Sequence, residues 1–471
     1  MIKLAAQQLS FRYQPTKSLI FDHLDFQVEP GTFSLLTGPS GCGKSTLFKL
    51  LAGLYPQYGG QIETGQVVLD GQNVAEILPN QRAKKVAMLF QNPSRQFAMR
   101  TVSEQLTFAL ENIQLPLVKI PQQIEKVLAV FNLDSFKQRK LQTLSGGEQQ
   151  RVALATVLAL DSQIILLDEP FANVDLTGRK QLLHDLKQLQ LNYQKTILVA
   201  DHDLSGYQGI ADHLYHLDSK TPQITSRPLT ELQQSATSWP VSLHKLNSGD
   251  LSWQQLTLVT AKRQLLTGSN FTLPRGQLGL LSGENGVGKS TLLAALSQLH
   301  PYQGQISYQQ KAAQKFNQQH WNQLVGLVFQ NSSDQFVRLS AQDEIKLSQK
   351  NSLQPKYWTI KRIIQCLQQL DLAGILDQVC YQLSGGQQKK LQLLSMLIMA
   401  QPVLLLDEPF AGLDPQSLKQ ALQLIRETAT QLQLSSLIVS HQRAGVTEKL
   451  DYELELAHQQ LTLLQGGLNN G

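Results

Sequence analysis

Three short stretches hold the residue types that handle phosphate, metal and water, and each occurs twice. Gly38-Pro-Ser-Gly-Cys-Gly-Lys-Ser-Thr46 recurs as Gly283-Glu-Asn-Gly-Val-Gly-Lys-Ser-Thr291. Ile165-Leu-Leu-Asp-Glu-Pro-Phe171 recurs as Leu404-Leu-Leu-Asp-Glu-Pro-Phe410. Leu144-Ser-Gly-Gly-Glu148 recurs as Leu383-Ser-Gly-Gly-Gln387. The first pattern cradles phosphate oxygens with consecutive backbone N–H groups, and the next helix points its positive end at the anion. Gly38, Gly41, Gly43 and Gly283, Gly286, Gly288 allow that close approach. Ser40, Asn285, Thr46 and Thr291 complete the two loops. Lys44 and Lys289 are expected to reach the outer phosphates, and Ser45 and Ser290 to ligate Mg²⁺.

Asp168 and Asp407 end apolar runs, which suits carboxylates that hold the metal. Glu169 and Glu408 come next and are candidates for polarising an attacking water. An isolated Asp-Glu pair is more simply a solvated strand end; the apolar run before it and the phosphate loop upstream reverse that preference. His202 and His441 each follow another apolar run. An isolated histidine more often packs than reacts, but each stands 33 positions after its Glu. A neutral imidazole there could bond the terminal phosphate and the water. In the third stretch a serine and two glycines open a helix, which makes a second anion-binding surface from Ser145 and Gly147, and from Ser384 and Gly386. The plainer reading is an ordinary serine cap.

These residues need a scaffold, and the spacings show that it is built twice. Gln91 to Ser145 and Gln330 to Ser384 each span 54 positions, and Ser145 to Glu169 and Ser384 to Glu408 each span 24. Equal spacing means equal elements, so two domains share one fold. Phe33–Thr37, Ile164–Leu167, Ile197–Ala200, Val403–Leu406 and Leu437–Ser440 read as buried strands of an α/β fold. Thr101-Val-Ser-Glu104 reads as a capping box that opens a helix, with Ser340-Ala-Gln-Asp343 in the equivalent place. A helical insertion is therefore expected between each glutamine and each Ser-Gly-Gly. The Pro-, Ser- and Thr-containing stretch near 233–246 reads as the join between domains 1–232 and 247–471.

Composition narrows the class. The chain has 471 residues, 42% of them hydrophobic and 16% charged, with a net charge of +5. This is globular, and the mild positive balance does not demand nucleic acid. Cys42, Cys366 and Cys380 show no metal or disulfide spacing. No apolar run reaches the roughly 18 residues of a membrane span, and no signal-peptide apolar region opens the chain. Cys42 lies inside the first loop, where the second has Val287. Two readings of it stand: a nucleotide-facing thiol activated by Lys44, or a small filler.

Both halves resemble the nucleotide-binding domains of the ATP-binding-cassette superfamily over nearly the whole chain. The resemblance implies tandem P-loop NTPase domains that bind and hydrolyse Mg-ATP. Each would have a RecA-like core, an N-terminal antiparallel β subdomain and a helical subdomain. It further implies head-to-tail pairing, with each phosphate loop facing the other half's Ser-Gly-Gly. Gln91 and Gln330 would bind Mg²⁺ and sense the transport partner, and Asp175 and Asp414 would cross the interface. Tyr13 would stack on adenine; counting back from the second loop puts Leu258 in its place, with Trp253 out of register.

A finer resemblance lies in Gln91-Asn-Pro-Ser-Arg-Gln-Phe97 and Gln330-Asn-Ser-Ser-Asp-Gln-Phe336, which are similar to the Gln-loop of energy-coupling factor (ECF) importers of vitamins and transition metals. This implies a peripheral ATPase on the cytoplasmic face of the membrane. Its partners would be a transmembrane coupling protein and a substrate-binding membrane protein, with no nucleic acid. A plainer reading of Phe97 and Phe336 is as core residues. The alternatives are a soluble double-cassette ATPase of translation or DNA repair, and a non-catalytic binding module. The short, weakly charged join argues against the first alternative. Retention of Glu169, Glu408, His202 and His441 argues against the second.

Overall fold

The computed structural model describes residues 3–464 except 17, 40, 91–95, 132, 145, 172, 173, 175, 219–222, 237–240, 242, 261, 262, 441, 442 and 444. The chain divides into two compact units, Met1–Thr237 and Ser238–Gly471. Each unit holds the same pair of sheets. In the first, an antiparallel sheet orders strands Phe21–Val28, Leu4–Arg12, Gln61–Leu69 and Gln72–Asn73. Its counterpart orders Gln264–Thr272, Leu251–Val259, Gln303–Tyr308 and Lys311–Ala312.

The six-stranded sheet of the first unit runs Val86–Leu89, Ile164–Asp168, Thr196–Ala200, Phe33–Thr37, His213–Leu217, Ile224–Arg227. All neighbours are parallel except the last pair. The second unit repeats this order with Val325–Val328, Val403–Asp407, Ser435–Val439, Leu278–Ser282, Tyr452–Ala457 and Gln460–Leu464. Strands Ile164–Asp168 and Val403–Asp407 are buried at every position, which is why they read as unbroken apolar runs. Three strand ends in each unit therefore lie side by side: the one before the phosphate loop, the one ending in Asp-Glu, and the one between them.

The helical insertions are present as Val102–Asn112 and Ile120–Val130, and as Ala341–Lys350 and Ile360–Gln369. Thr101 and Glu104 form a complete capping box. Ser340 caps its helix through the Asp343 amide. Helices Gly146–Ala159 and Gly385–Met399 follow the Ser-Gly-Gly stretches. The second of these is buried almost all round, polar Lys389, Lys390 and Gln392 included. A helix enclosed in this way must find partners for its polar groups inside the protein.

One acidic side chain holds the start of the loop-bearing strand in each unit. The amide of Phe33 donates to Asp212 at 2.8 Å, and that of Leu278 to Asp451 at 2.8 Å. Lys187 pairs with Asp212 and Arg426 with Asp451. Asp451 is 4% exposed and Asp212 is 36% exposed, so their loss should differ in cost. Asp451→Ala should cost the second unit about 2 kcal/mol, because the buried Leu278 amide loses its acceptor. Urea titration followed by tryptophan fluorescence reads that unit through buried Trp253, Trp321 and Trp358. Asp212→Ala should leave this transition within about 0.5 kcal/mol.

Candidate active site

The phosphate loops are shaped by contact with the neighbouring strand. At Gly38 φ is +150°, and a Cβ there would lie 2.4 Å from the Leu217 carbonyl oxygen. At Gly283 φ is +141°, and the Leu456 oxygen would be 2.3 Å away. Only glycine fits. Helices Lys44–Leu51 and Lys289–Leu296 start on the lysine itself, after left-handed Gly43 and Gly288. Lys44 Nζ folds back to the oxygens of Gly38 and Pro39 at 2.7 and 3.0 Å. Lys289 Nζ does the same to Gly283 and Glu284 at 2.7 and 2.8 Å. Each ammonium is thus fixed within its loop by the loop's own carbonyls. Gly41, Gly286 and Asn285 lie on the exposed rim, and Thr46 is buried at the helix start.

Beside each loop sits the carboxylate pair. Burial and the charge of Glu169 push Asp168 up to about 6, against the Ser45 hydrogen bond and the charge of Lys44. Burial likewise raises Asp407, against its bond to Ser290 and the charges of Lys389 and Lys289. Asp168 Oδ1 and Asp407 Oδ1 are buried with no hydrogen-bond partner. A carboxylate oxygen left over beside a serine hydroxyl fits a hard divalent cation. Among the described residues no group of three His, Cys, Asp or Glu side chains could hold a metal. Mg²⁺ takes one or two protein carboxylates and completes its shell with phosphates and water.

Glu169 and Glu408 both have φ of +49°. Their amides donate to Ala200 and Val439 at 2.9 and 3.0 Å, so the turn is anchored to the next strand. A non-glycine residue held in this region costs of order 1–3 kcal/mol, and such strain clusters at functional sites. His202 Nε2 lies 2.8 Å from Glu169 Oε1, and both side chains are buried. Ser40, Gln91, Ser145, Asp175 and His441 lie outside the described residues.

The second Ser-Gly-Gly is a helix cap in its own unit. Ser384 Oγ accepts from the Gln387 amide at 3.3 Å, and Gln387 Oε1 accepts from the Ser384 amide at 3.0 Å. Gly386 is buried in the first turn. In the first unit Glu148 pairs with Arg139 at 2.9 Å, and Gly147 is half-buried. Asp414 caps helix Pro415–Leu432 through the amides of Gln416 and Ser417, both at 3.0 Å. The last glutamine of each Gln-Asn-x-x-x-Gln-Phe stretch closes the loop on itself. Gln96 Oε1 accepts from the Phe90 amide at 3.3 Å, and Gln335 Oε1 from the Phe329 amide at 3.0 Å. Phe336 lies in the core of the second unit and Phe97, partly buried, packs against the core of the first, which is the plainer of their two readings.

Tyr13 hydrogen-bonds Thr46 Oγ1 at 2.7 Å and is partly exposed at the mouth of the first loop. Its counterpart in the second unit is Thr260, because Leu4 and Leu251 are equivalent in strand register. Counting back from the phosphate loop gives Leu258, which is buried in the strand. The count errs by two because the turn at 13–20 is four residues longer than that at 260–263, while the next strand and the connection after it are each one residue longer in the second unit. Arg263, which sequence reasoning missed, donates to the Gly286 oxygen of the second loop. A second omission is Lys389. Its buried Nζ donates to Gln330 O at 2.6 Å. Burial pushes it down to about 8, against the charges of Glu408 and Asp407. The first unit has Gln150 there, buried with neither amide atom bonded.

An ABC transporter family model matches residues 21–172 and 266–411. The chain belongs to the ABC transporter family. It is an ATP-binding protein with ATPase activity, built as two tandem ABC ATPase domains. "Putative HMP/thiamine import ATP-binding protein YkoD" of Bacillus subtilis (strain 168) is 31% identical, over 96% of this chain and 89% of that protein. An ABC transporter ATP-binding protein of Methanosarcina mazei, itself named putative, is 28% identical over 94% and 85%. Among solved structures, "RNase-L Inhibitor" matches with TM-score 0.65 and 19% identity over 95% of this chain and 87% of that one. A ribosome-bound archaeal Pelota and ABCE1 model matches with TM-score 0.72 and 18% identity over 97% and 78%. The structural likeness establishes the double-cassette fold. Among the described residues no helix of this ABC ATPase is long and apolar enough to cross a membrane.

Of the two readings of Cys42, the geometry selects the filler. The thiol is buried in a hydrophobic cluster, and burial raises it above the usual thiol range despite Lys44 Nζ at 3.9 Å. A raised thiol carries less thiolate at any given pH. At pH 8 a disulfide reagent should therefore label Cys42 at least about tenfold more slowly in the folded protein than in urea. Peptide mapping of the labelled chain checks this.

Proposed function

We propose that this chain is the ATPase subunit of a membrane importer of the ECF type, carrying a vitamin or a transition metal. The observation that carries the reading is the Gln-Asn-x-x-x-Gln-Phe stretch, present in both halves and stapled by Gln96 and Gln335. The import function in the name of the Bacillus subtilis relative supports it. The ribosome-bound Pelota and ABCE1 structure is similar in fold at 18% identity, which carries no function. In this reading the chain is peripheral to the cytoplasmic face of the membrane, where its Gln-loops dock an integral coupling protein. The two halves pair head-to-tail.

The proposed chemistry follows from the side chains. Lys44 and Lys289 bind the outer phosphates from within their loops. Asp168 with Ser45, and Asp407 with Ser290, would hold Mg²⁺, joined by Gln91 and Gln330. The ion, when bound, neutralises phosphate charge and acts as a Lewis acid. Glu169 and Glu408 orient the attacking water and draw on its proton. His202 keeps Glu169 in place by donating from Nε2, which fixes its tautomer. His441 is assigned the same task. Tyr13 covers the adenine of the first site.

Two outcomes test this. Glu169→Gln together with Glu408→Gln should retain ATP binding and lower hydrolysis by at least about 10²-fold, the scale of general-base catalysis; phosphate release at the wild-type rate would reject the assignment. Coexpression with the genomic neighbours, followed by detergent purification, should recover a complex with integral membrane proteins. Recovery only with ribosomes or DNA would reject the importer reading.

A further inference from the structure

The segment that carries His202 is anchored by a buried charge network that the other half lacks. Arg179, on helix Leu176–Tyr193, donates from Nη2 to Asp201 Oδ2 at 3.1 Å and from Nε to Ser205 O at 3.1 Å. Its Nη1 pairs with Asp203 Oδ2 at 3.1 Å. Tyr207 donates its hydroxyl to Asp201 Oδ2 at 2.8 Å. The guanidinium also faces the rings of Phe171 and Tyr207. Arg179, Asp201 and Tyr207 are buried. One guanidinium thus grips the residues immediately before and after His202.

The duplication shows what the fold accepts instead. At the constant interval of 239 positions, Arg179, Asp201 and Tyr207 correspond to Leu418, Ser440 and Val446. All three are buried, and Leu418 and Val446 lie in the core. There a different pair does the tethering. Arg443, two residues after His441, binds both carboxylate oxygens of buried Glu453 on strand Tyr452–Ala457. The first half has Leu204 and Leu214 at those positions. The anchor has moved from a helix to the core sheet.

A buried ion pair is seldom worth more to stability than the apolar residues that could replace it. The second half supplies such residues, so folding alone does not require the network. We propose that Arg179 is a positioning residue that acts through Asp201 and Asp203. It couples helix Leu176–Tyr193, which opens seven residues after Glu169, to the backbone of His202, and so holds Nε2 on the Glu169 carboxylate. The first site then responds to movement of that helix. This rests on the assignment of Glu169 and His202 made above.

The test imports one half's solution into the other. In a Glu408→Gln background, where hydrolysis reports the first carboxylate, Arg179→Leu, Asp201→Ser and Tyr207→Val are combined. If that background is inactive, the same comparison is made in the unmodified chain. The triple variant should lose at least about tenfold in kcat, the scale of a misplaced catalytic group, with KM for ATP within about twofold and an unchanged unfolding midpoint. Arg179→Lys keeps the charge but not the rigid fork. It should lose kcat to a smaller extent, and it decides alone, by the same split, if the triple variant does not fold. His202→Ala separates the two levels of the argument. Unimpaired hydrolysis in His202→Ala would remove the assignment itself and the proposal with it. Strong impairment there, with the network variants at the parental kcat and KM, would show packing only and overturn the proposal.

Discussion

Two adjacent carboxylates buried at the end of a strand dictate most of what surrounds them. Asp168 and Glu169 are both under one-tenth exposed. Their mutual repulsion adds to desolvation in pushing Asp168 up to about 6. Charges placed so deep need compensation within a few ångströms, because water is not there to screen them. Lys44 and Ser45 supply it from one neighbouring loop and His202 from the other. Those loops leave strands Phe33–Thr37 and Thr196–Ala200, so the strand order is what delivers the compensation. The left-handed turn at Glu169 belongs to the same arrangement: it leaves the Asp168 backbone in the sheet while turning the chain away at the next residue.

What could be read from the sequence was whatever local pattern encodes. Apolar runs marked the buried parallel strands because no face of them meets water, and Thr101 with Glu104 declared a helix start. The phosphate loops were legible because close approach of backbone to backbone at Gly38 and Gly283 admits no side chain. What stayed hidden depends on pairings distant in sequence. Nothing near Arg179 announces Asp201, 22 positions on. Nothing in Gln388-Lys389-Lys390 tells that Lys389 is enclosed against the Gln330 backbone. The counterpart of Tyr13 was misplaced because counting assumes equal turns, and the second turn is shorter.

Comparison of the halves separates what the chemistry demands from what merely works. The lysine-to-loop bonds, the carboxylate-to-serine contacts, the left-handed Glu and the strand-capping Asp occur in both. The first three lie at the strand ends that the proposed chemistry uses, and the fourth holds the opposite end of the strand that leads into the phosphate loop. The differences lie one layer behind. Lys389 ties the Gln330 carbonyl to the body of the second unit, where buried Gln150 is the equivalent in the first. Arg263 reaches the second phosphate loop from a turn whose first-unit counterpart is longer.

Such differences are not interchangeable in effect even where they are interchangeable for stability. A neutral amide and an ammonium of similar length can both fill the space beside Asp407 and Glu408. Only the ammonium adds a positive charge there, and that charge matters most when the carboxylates are ionised. The second unit therefore carries its countercharge in a helix of its own, whereas the first has none at that position. The two proposed sites, built from the same residue types, thus sit in unequal fields. A chain that carries both copies keeps this inequality fixed, since neither half can exchange places with the other.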